Sequence, residues 1–415
     1  MAITSSAPGQ SQDAVPAPRL GRLGPLLFLA HAGWMLPFSA AGALIPALMA
    51  QIDPDQKVAL YATLAAAGSI ASMIATIVFG ALSDRTRSRF GRRNPWIASG
   101  GIVLGLAATM MSFTSEFAIL VVLWVVLQIG LAVVLAPLFA VLPERVSAKN
   151  LGKASTLIGL GQLLAQSLGA IVGGAYIMMP REGLRWLPWL IAVAMIIFVL
   201  LSREKDNRDV AREPLSIGAL LRGFVPPKDR DFLLALIGRF LLLLSFMMVL
   251  LYQLFVLTDY IGLDISEAGG VIGTGGVIMA VSSGIATLIS GPLSDKIRRR
   301  KPVVIVASLV FAAAELPLVF AADLSAFYLF LAVGGFAYGM YIAVDQALLA
   351  EVLPDAENQG KDMGILNIAN TGPQIIAPIV AGIVVSIAGF QLVFGMAVAL
   401  AVLAAVVLVP IRRVR

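Results

Sequence analysis

Apolar runs long enough to cross a membrane fill almost the whole of this 415-residue sequence. A helix that spans a hydrocarbon core about 30 Å thick needs about 20 apolar residues. Charged residues make up only 13% of the chain and hydrophobic residues 59%, which excludes a water-soluble enzyme. We therefore predict an all-α polytopic membrane protein with twelve transmembrane helices. The predicted spans are residues 24–50, 57–82, 94–113, 117–142, 152–177, 186–202, 232–257, 266–292, 302–321, 324–351, 362–387 and 390–411.

The basic residues predict the orientation of these spans. Of the 30 Lys and Arg residues, three lie in predicted external loops (Lys57, Arg181 and Arg185) and one, Arg239, lies inside a span. The other 26 lie in predicted cytoplasmic segments, as the positive-inside rule requires. Topology in the cytoplasmic membrane thus explains the net charge of +6, and we expect no nucleic-acid partner. The chain has no cysteine, which excludes disulfides and thiolate metal sites.

One long polar segment divides the spans into two sets of six, so both termini are expected in the cytoplasm. The first 20 residues are rich in Ser, Pro, Ala and Gln and lack the apolar core of a signal peptide. The predicted organisation is a disordered cytoplasmic tail (1–20), an N-terminal six-helix half (21–202), a cytoplasmic linker (203–231), a C-terminal six-helix half (232–411) and a short cytoplasmic tail (412–415).

The two halves share a sequence pattern at matching places. The string Gly-x-Leu-Ser-Asp ends at Asp84 after the second span and at Asp295 after the eighth, 211 residues later. Pro143 and Pro354, which follow the fourth and tenth spans, are also 211 residues apart. Six spans separate the copies, so both have the same orientation in the membrane. Parallel repeats of this kind are a transporter architecture that binds substrate near the midplane between the halves.

These features resemble the major facilitator superfamily over about residues 20–412. The longer string SDRTRSRFGRRNPWI, residues 83–97, is similar to the corresponding loop of sucrose transporters and of glycoside–pentoside–hexuronide cation symporters. The resemblance implies alternating access, with a cluster that latches the cytoplasmic ends together in one conformation. The implied gating residues are Gly80, Asp84, Arg85, Gly91, Arg92, Gly291, Asp295 and Lys296.

Within that loop, Gly80 is expected to allow close helix approach and Asp84 to cap a neighbouring helix N-terminus. Most arginines between Arg87 and Arg93 need only be positive to hold the topology. The melibiose-type symporters place acidic sodium ligands in spans two and four. Residues 57–82 and 117–142 contain no Asp or Glu here, so sodium coupling of that type is not expected.

Three charged residues lie inside spans, where each costs about 2.5–3.5 kcal/mol to insert. Arg239 in span seven and Asp345 in span ten lie about 12 and 13.5 Å from the same membrane face, so we predict an ion pair. In our hypothesis Asp345 carries the coupling proton and Arg239 keeps it ionised in one conformation; the alternative is a purely structural pair. Glu315 is expected to be structural. His31, the only histidine, is either a packing residue or a second proton carrier.

In the family, spans one, four, seven and ten line the cavity, and aromatic side chains there are candidates for stacking on a sugar ring. Amide side chains in spans four, seven, ten and eleven are candidates for hydrogen bonds to hydroxyl groups. The alternative for each is ordinary packing or interhelical hydrogen bonding. Gly372-Pro373 and Pro378 predict a break or bend in span eleven. The substrate-binding candidates are Trp34, Gln128, Tyr252, Gln253, Tyr338, Tyr341, Gln346, Asn367, Asn370 and Gln374.

The sequence therefore predicts a monomeric secondary transporter that moves a small hydroxylated solute, such as a sugar, together with protons. Its partners are the solute, the proton and the lipid bilayer; no cofactor, metal or catalytic residue is expected. The sequence contains no nucleotide-binding lysine loop, so it does not support ATP-driven primary transport. A proton-driven exporter of drugs or metabolites is the first alternative. A membrane receptor or scaffold that transports nothing is the second.

Overall fold

The structure, a computed structural model, describes residues 21–147, 150–202, 204, 206–208, 229–297, 299–352 and 359–411. These residues form helices and connecting turns, with no strand among them. The prediction of an all-α membrane protein is confirmed. The helices are α1 Leu23–Ile52, α2 Lys57–Arg85, α3 Asn94–Met111, α4 Phe117–Arg145, α5 Leu151–Ala175, α6 Pro180–Leu201, α7 Arg230–Leu250, α8 Ile265–Ile297, α9 Lys301–Phe320, α10 residues 324–352, α11 residues 359–388 and α12 residues 390–408.

In the described ranges, ten helical segments are long and apolar enough to cross a membrane. One of them, Gly372–Leu408, contains two passes, because Gly389 has a φ of 77° and interrupts the helix there. The remaining pass is α3, which has 18 residues and begins with the polar Asn94. The predicted spans agree with the helices except at two places. At α6 a short helix, Pro180–Trp186, precedes the main segment. The predicted span 232–257 is interrupted, since α7 ends at Leu250 and a short helix, Gln253–Phe255, follows.

The six-helix halves meet along two helix pairs, α5 with α8 and α2 with α11. Small residues allow close approach at both. A Cβ atom on Gly174 of α5 would lie 2.1 Å from the carbonyl oxygen of Gly269 in α8. A Cβ atom on Gly382 of α11 would lie 2.7 Å from the Cβ of Ala62 in α2. Glycine is therefore required where the backbones of the two halves touch.

The predicted break in α11 is absent, since Pro373 and Pro378 lie within helical backbone and the interruption occurs at Gly389. A proline has no N–H, so Pro378 leaves the carbonyl group of Gln374, four residues earlier, without its helical donor. The Ser69 hydroxyl of α2 donates to that carbonyl oxygen at 3.2 Å. The helix continues because a neighbouring helix supplies the missing hydrogen bond.

Candidate functional site

Arg239 and Asp345 form an ion pair inside the C-terminal half. The guanidinium Nη1 of Arg239, on α7, lies 2.5 Å from the Oδ2 atom of Asp345, on α10. Only 4% and 3% of the two side chains are exposed. The hydroxyl of Tyr341, one helical turn before Asp345, is buried and has no hydrogen-bond partner among the described residues. The pairing predicted from equal membrane depth is confirmed, while its role in coupling stays a prediction.

Aromatic rings cover this ion pair. Tyr341 is buried, and Tyr338 stacks against Phe246 of α7 with ring centroids 4.5 Å apart and an interplanar angle of 9°. Phe246 also packs edge-on against Phe311 of α9 at 5.6 Å. One face of the Tyr338 ring is therefore occupied by Phe246.

Glu315 is also fully buried, between α7, α9 and α12. The Ser245 hydroxyl lies 3.1 and 3.2 Å from the two carboxyl oxygens of Glu315 and 2.8 Å from the carbonyl oxygen of Ala397. A hydroxyl has one hydrogen to donate, so a protonated Glu315 that donates to Ser245 satisfies all three groups. These contacts agree with the structural role expected of Glu315.

His31 lies in a separate polar cluster of the N-terminal half. The Trp34 indole nitrogen and the Gln162 amide nitrogen approach its Nδ1 atom at 3.4 and 3.2 Å. The imidazole packs edge-on against the ring of Phe139 on α4, with centroids 5.2 Å apart. Both His31 and Trp34 are buried. Gln162, on α5, is a contact that the sequence analysis did not select.

We call the end of the bundle that carries the α2–α3 loop, residues 86–93, the basic end. The two halves touch at the opposite end. There Lys57 of α2 binds Asp259, just after α7, with 2.6 Å between Nζ and Oδ1. Beneath this bridge the Tyr61 and Tyr252 rings meet edge-on at 5.3 Å. The Tyr252 hydroxyl donates to the Pro378 carbonyl oxygen at 2.6 Å. Tyr252, predicted to contact substrate, therefore belongs to the closed opposite end in this conformation.

The other substrate candidates are scattered. Gln128 packs against Gly68, at the contact of α4 with α2. Gln253 is partly buried in the turn after α7, and Gln374 is exposed on α11. The structure does not bring these three amides together with the ion pair. The side chains of Gln346, Asn367 and Asn370 lie outside the part of the structure that is described.

Charged side chains form a network at the basic end. The Arg93 guanidinium contacts the carboxylates of both Asp84 and Glu144, and Arg92 binds Glu144 at 2.8 Å. Burial alone would lower the pKa of Arg93, but its hydrogen bond to Glu144 and the charges of Asp84 and Glu144 outweigh burial and raise it. The sequence predicted that most arginines between Arg87 and Arg93 need only be positive. Arg93 is an exception, because it binds two specific carboxylates.

The chain segment after α6 holds this loop in place. The carboxylate of Glu204 accepts from the backbone N–H groups of Arg93 at 2.9 Å and Asn94 at 3.3 Å, at the N-terminus of α3. Negative charge is favourable at that position. Gly91 has a φ of 87°, and a Cβ atom there would lie 2.3 Å from Glu204. Only glycine permits both this backbone conformation and this contact.

Several gating predictions differ from the structure. No described atom lies within 4 Å of a Cβ placed on Gly80 or Gly291, so the close approach expected at Gly80 is absent there. Asp84 binds Arg93, and the helix N-terminus nearby is capped by Glu204 instead. Two further gating candidates lie at the C-terminal ends of their helices. Arg85 is the last residue of α2, and Lys296 is exposed in the last turn of α8. The Asp295 side chain lies outside the described part.

Comparison with known proteins agrees with this architecture. The sequence model of the Major Facilitator Superfamily matches residues 25–286 and, in an overlapping second match, residues 235–415. The chain belongs to the major facilitator superfamily. This family of membrane transporters explains the two halves, the helix pairs between them and the charged loop after α2.

Solved structures share the fold at low sequence identity. The nucleoside transporter NupG matches with a TM-score of 0.74 and 14% identity, over 94% of this chain and 100% of that chain. The human organic anion transporter MFSD10 (TETRAN) matches with 0.69 and 17%, over 94% and 100%. A D-xylose–proton symporter matches with 0.66 and 17%, over 94% and 97%. At these identities the similarity establishes the fold.

Proposed function

We propose that this protein is a secondary active transporter that moves a small hydroxylated solute, together with protons, across the cytoplasmic membrane. The observation that carries the proposal is the buried pair of Arg239 and Asp345, since charge inside a membrane helix marks a coupling or substrate site. Its coupling ion is the proton, its termini are cytoplasmic, and it acts as a monomer. A sugar is the favoured solute, because the loop at residues 83–97 resembles the sucrose-transporter branch.

In this mechanism Asp345 binds and releases the proton. Ionised Asp345 holds Arg239, and protonation releases the guanidinium, so the pair has two states that helix movement can favour differently. Contact between Lys57 and Asp259 at the opposite end fits a conformation closed on that side. A D-xylose–proton symporter has the same fold, so this fold is compatible with the transport of a sugar together with a proton.

The test is transport by Asp345→Asn in proteoliposomes. The variant is expected to lose accumulation driven by a pH gradient but to keep exchange of labelled sugar across equal pH. Glu182→Gln, which alters the ion pair between Arg185 and Glu182 within α6, is the control and is expected to retain accumulation. Full pH-driven accumulation by Asp345→Asn would refute the proton role. If the wild type ignores sugars and expels lipophilic cations, the protein is an exporter; if it moves no solute, it is a receptor or scaffold.

A further inference from the structure

The neighbours of His31 determine which of its ring nitrogens carries hydrogen. The Trp34 indole N–H can only donate, and it points at Nδ1 from 3.4 Å. The amide nitrogen of Gln162, also a donor, lies 3.2 Å from the same atom. Nδ1 must therefore accept, so it has no hydrogen of its own. The ring is neutral, and its hydrogen is on Nε2.

The Nε2–H group is a buried donor. Only 1% of His31 is exposed, and Nε2 has no hydrogen-bond partner among the described residues. Buried polar groups are almost always paired, and an unpaired one calls for an explanation. A solute-binding site would explain the unpaired Nε2–H group, because the bound solute brings the missing acceptor.

His31 lies on the side of α1 away from α6. Gly33 of α1 faces α6, where its Cβ position lies 2.2 Å from the Cβ of Ala194. His31 lies about 160° around the helix from Gly33. Phe38, seven residues after His31, lies on the same face and is 46% exposed, whereas the imidazole itself is buried against Phe139 of α4.

His31 and Arg239 lie at similar depths in the first helix of each half. Each is eight or nine residues into the first helix of its half, about 12 and 13.5 Å from the basic end. Asp345 neutralises Arg239, and His31 is neutral, so these matching positions carry no net charge.

We propose that His31 is a substrate-binding residue, whose Nε2–H donates to a hydroxyl or ring oxygen of an uncharged solute. Trp34 and Gln162 hold the imidazole in the tautomer that can donate. A neutral donor at this position suits a polyol, which offers acceptors without charge. The inference rests on the proposed function, because it takes the transported solute to be a hydroxylated molecule.

The single histidine makes the first half of the proposal directly measurable. In protein labelled with 15N-histidine and reconstituted in lipid, the whole imidazole signal comes from His31. At pH 7 the spectrum is expected to show hydrogen on Nε2 and none on Nδ1, with an Nε2 shift when sugar binds. Hydrogen on Nδ1, or on both nitrogens, would overturn the proposal. Gln162→Leu removes one of the two donors and is expected to broaden the distribution of tautomers.

Binding tests the second half. The probe is whichever of sucrose, D-xylose and D-glucose raises the thermal stability of the purified wild type most. His31→Phe keeps a ring against Phe139 but loses the donor, so the Kd is expected to rise about tenfold. His31→Gln keeps an N–H donor and is expected to stay within about threefold of wild type. Unchanged binding by His31→Phe overturns this inference alone. If none of the sugars stabilises the wild type, the polyol proposal fails and this inference fails with it.

Discussion

Removing one partner of the buried ion pair should destabilise the protein strongly, and removing both should restore much of the loss. At 2.5 Å the charges of Arg239 and Asp345 attract by about 6–7 kcal/mol at an effective dielectric constant of 20. Desolvation offsets much of that attraction, and breaking a buried pair costs about 3–5 kcal/mol. Asp345→Asn should be the worse single change, because a guanidinium cannot lose its charge whereas a carboxyl group can take up a proton.

These free energies correspond to a measurable change in melting temperature. The entropy of unfolding is about 2.1 cal/mol/K per residue, so a 415-residue chain loses about 3–6 °C for 3–5 kcal/mol. The assay heats detergent-purified variants and measures the monodisperse fraction by size-exclusion chromatography. The variants are Arg239→Leu, Asp345→Asn and the double substitution, which is expected to lie within about 2 °C of wild type.

The pair between Lys57 and Asp259 is a matched control. The distance between its Nζ and Oδ1 atoms, 2.6 Å, is nearly the same as the 2.5 Å in the buried pair, but 20% and 28% of its side chains are exposed. An exposed pair contributes about 0–1 kcal/mol, so Asp259→Asn should change the melting temperature by about 1 °C or less. A double variant no more stable than either single one would refute the pairing argument. Equal losses at both ion pairs would refute the argument from burial.

Two other changes have distinct expected outcomes. Asp84→Asn removes one of the two carboxylates that Arg93 contacts; it should lower the initial transport rate at least about threefold at unchanged membrane insertion, because topology depends on Lys and Arg. Transport at the wild-type rate, at equal expression, would disprove a gating role. At Glu315, Gln retains a hydrogen bond to Ser245 and should cost less than about 1 kcal/mol, while Leu leaves the Ser245 oxygen without a donor, although its hydroxyl still donates to Ala397, and should cost about 1–3 kcal/mol. Equal melting temperatures for the two variants would contradict that reasoning.

Helix number and the buried pair could be predicted because both follow from one-dimensional quantities. The lengths of the apolar runs determine where helices cross the membrane, and a rise of 1.5 Å per residue gives the depth of each charge. Arg239 and Asp345 have matching depths, and a charge in an apolar medium needs a partner. The two facts together predict the contact without knowledge of helix packing.

Contacts that depend on packing could not be predicted. Arg93 is one of four arginines in its loop, and only the fold brings Glu144 to it while the other three stay more exposed. The helix continues through Pro378 without a break, because Ser69, 305 residues away from Gln374, donates to the freed carbonyl oxygen. Gln162 gives no sequence signal, since it is one amide among the small residues of α5.

The two partners of the buried pair lie on helices that differ in their hydrogen bonding. Arg239 belongs to α7, which is fastened to α12 by the bond from Ser245 to the Ala397 carbonyl oxygen. Asp345 belongs to α10, whose backbone contains a π-helical turn at Phe330–Gly334, and such turns interrupt the regular bonding of a helix. Spin-label distances that respond to Asp345→Asn on α7 but not on α10 would contradict this difference. Loss of the salt bridge is therefore expected to move α10 more than α7.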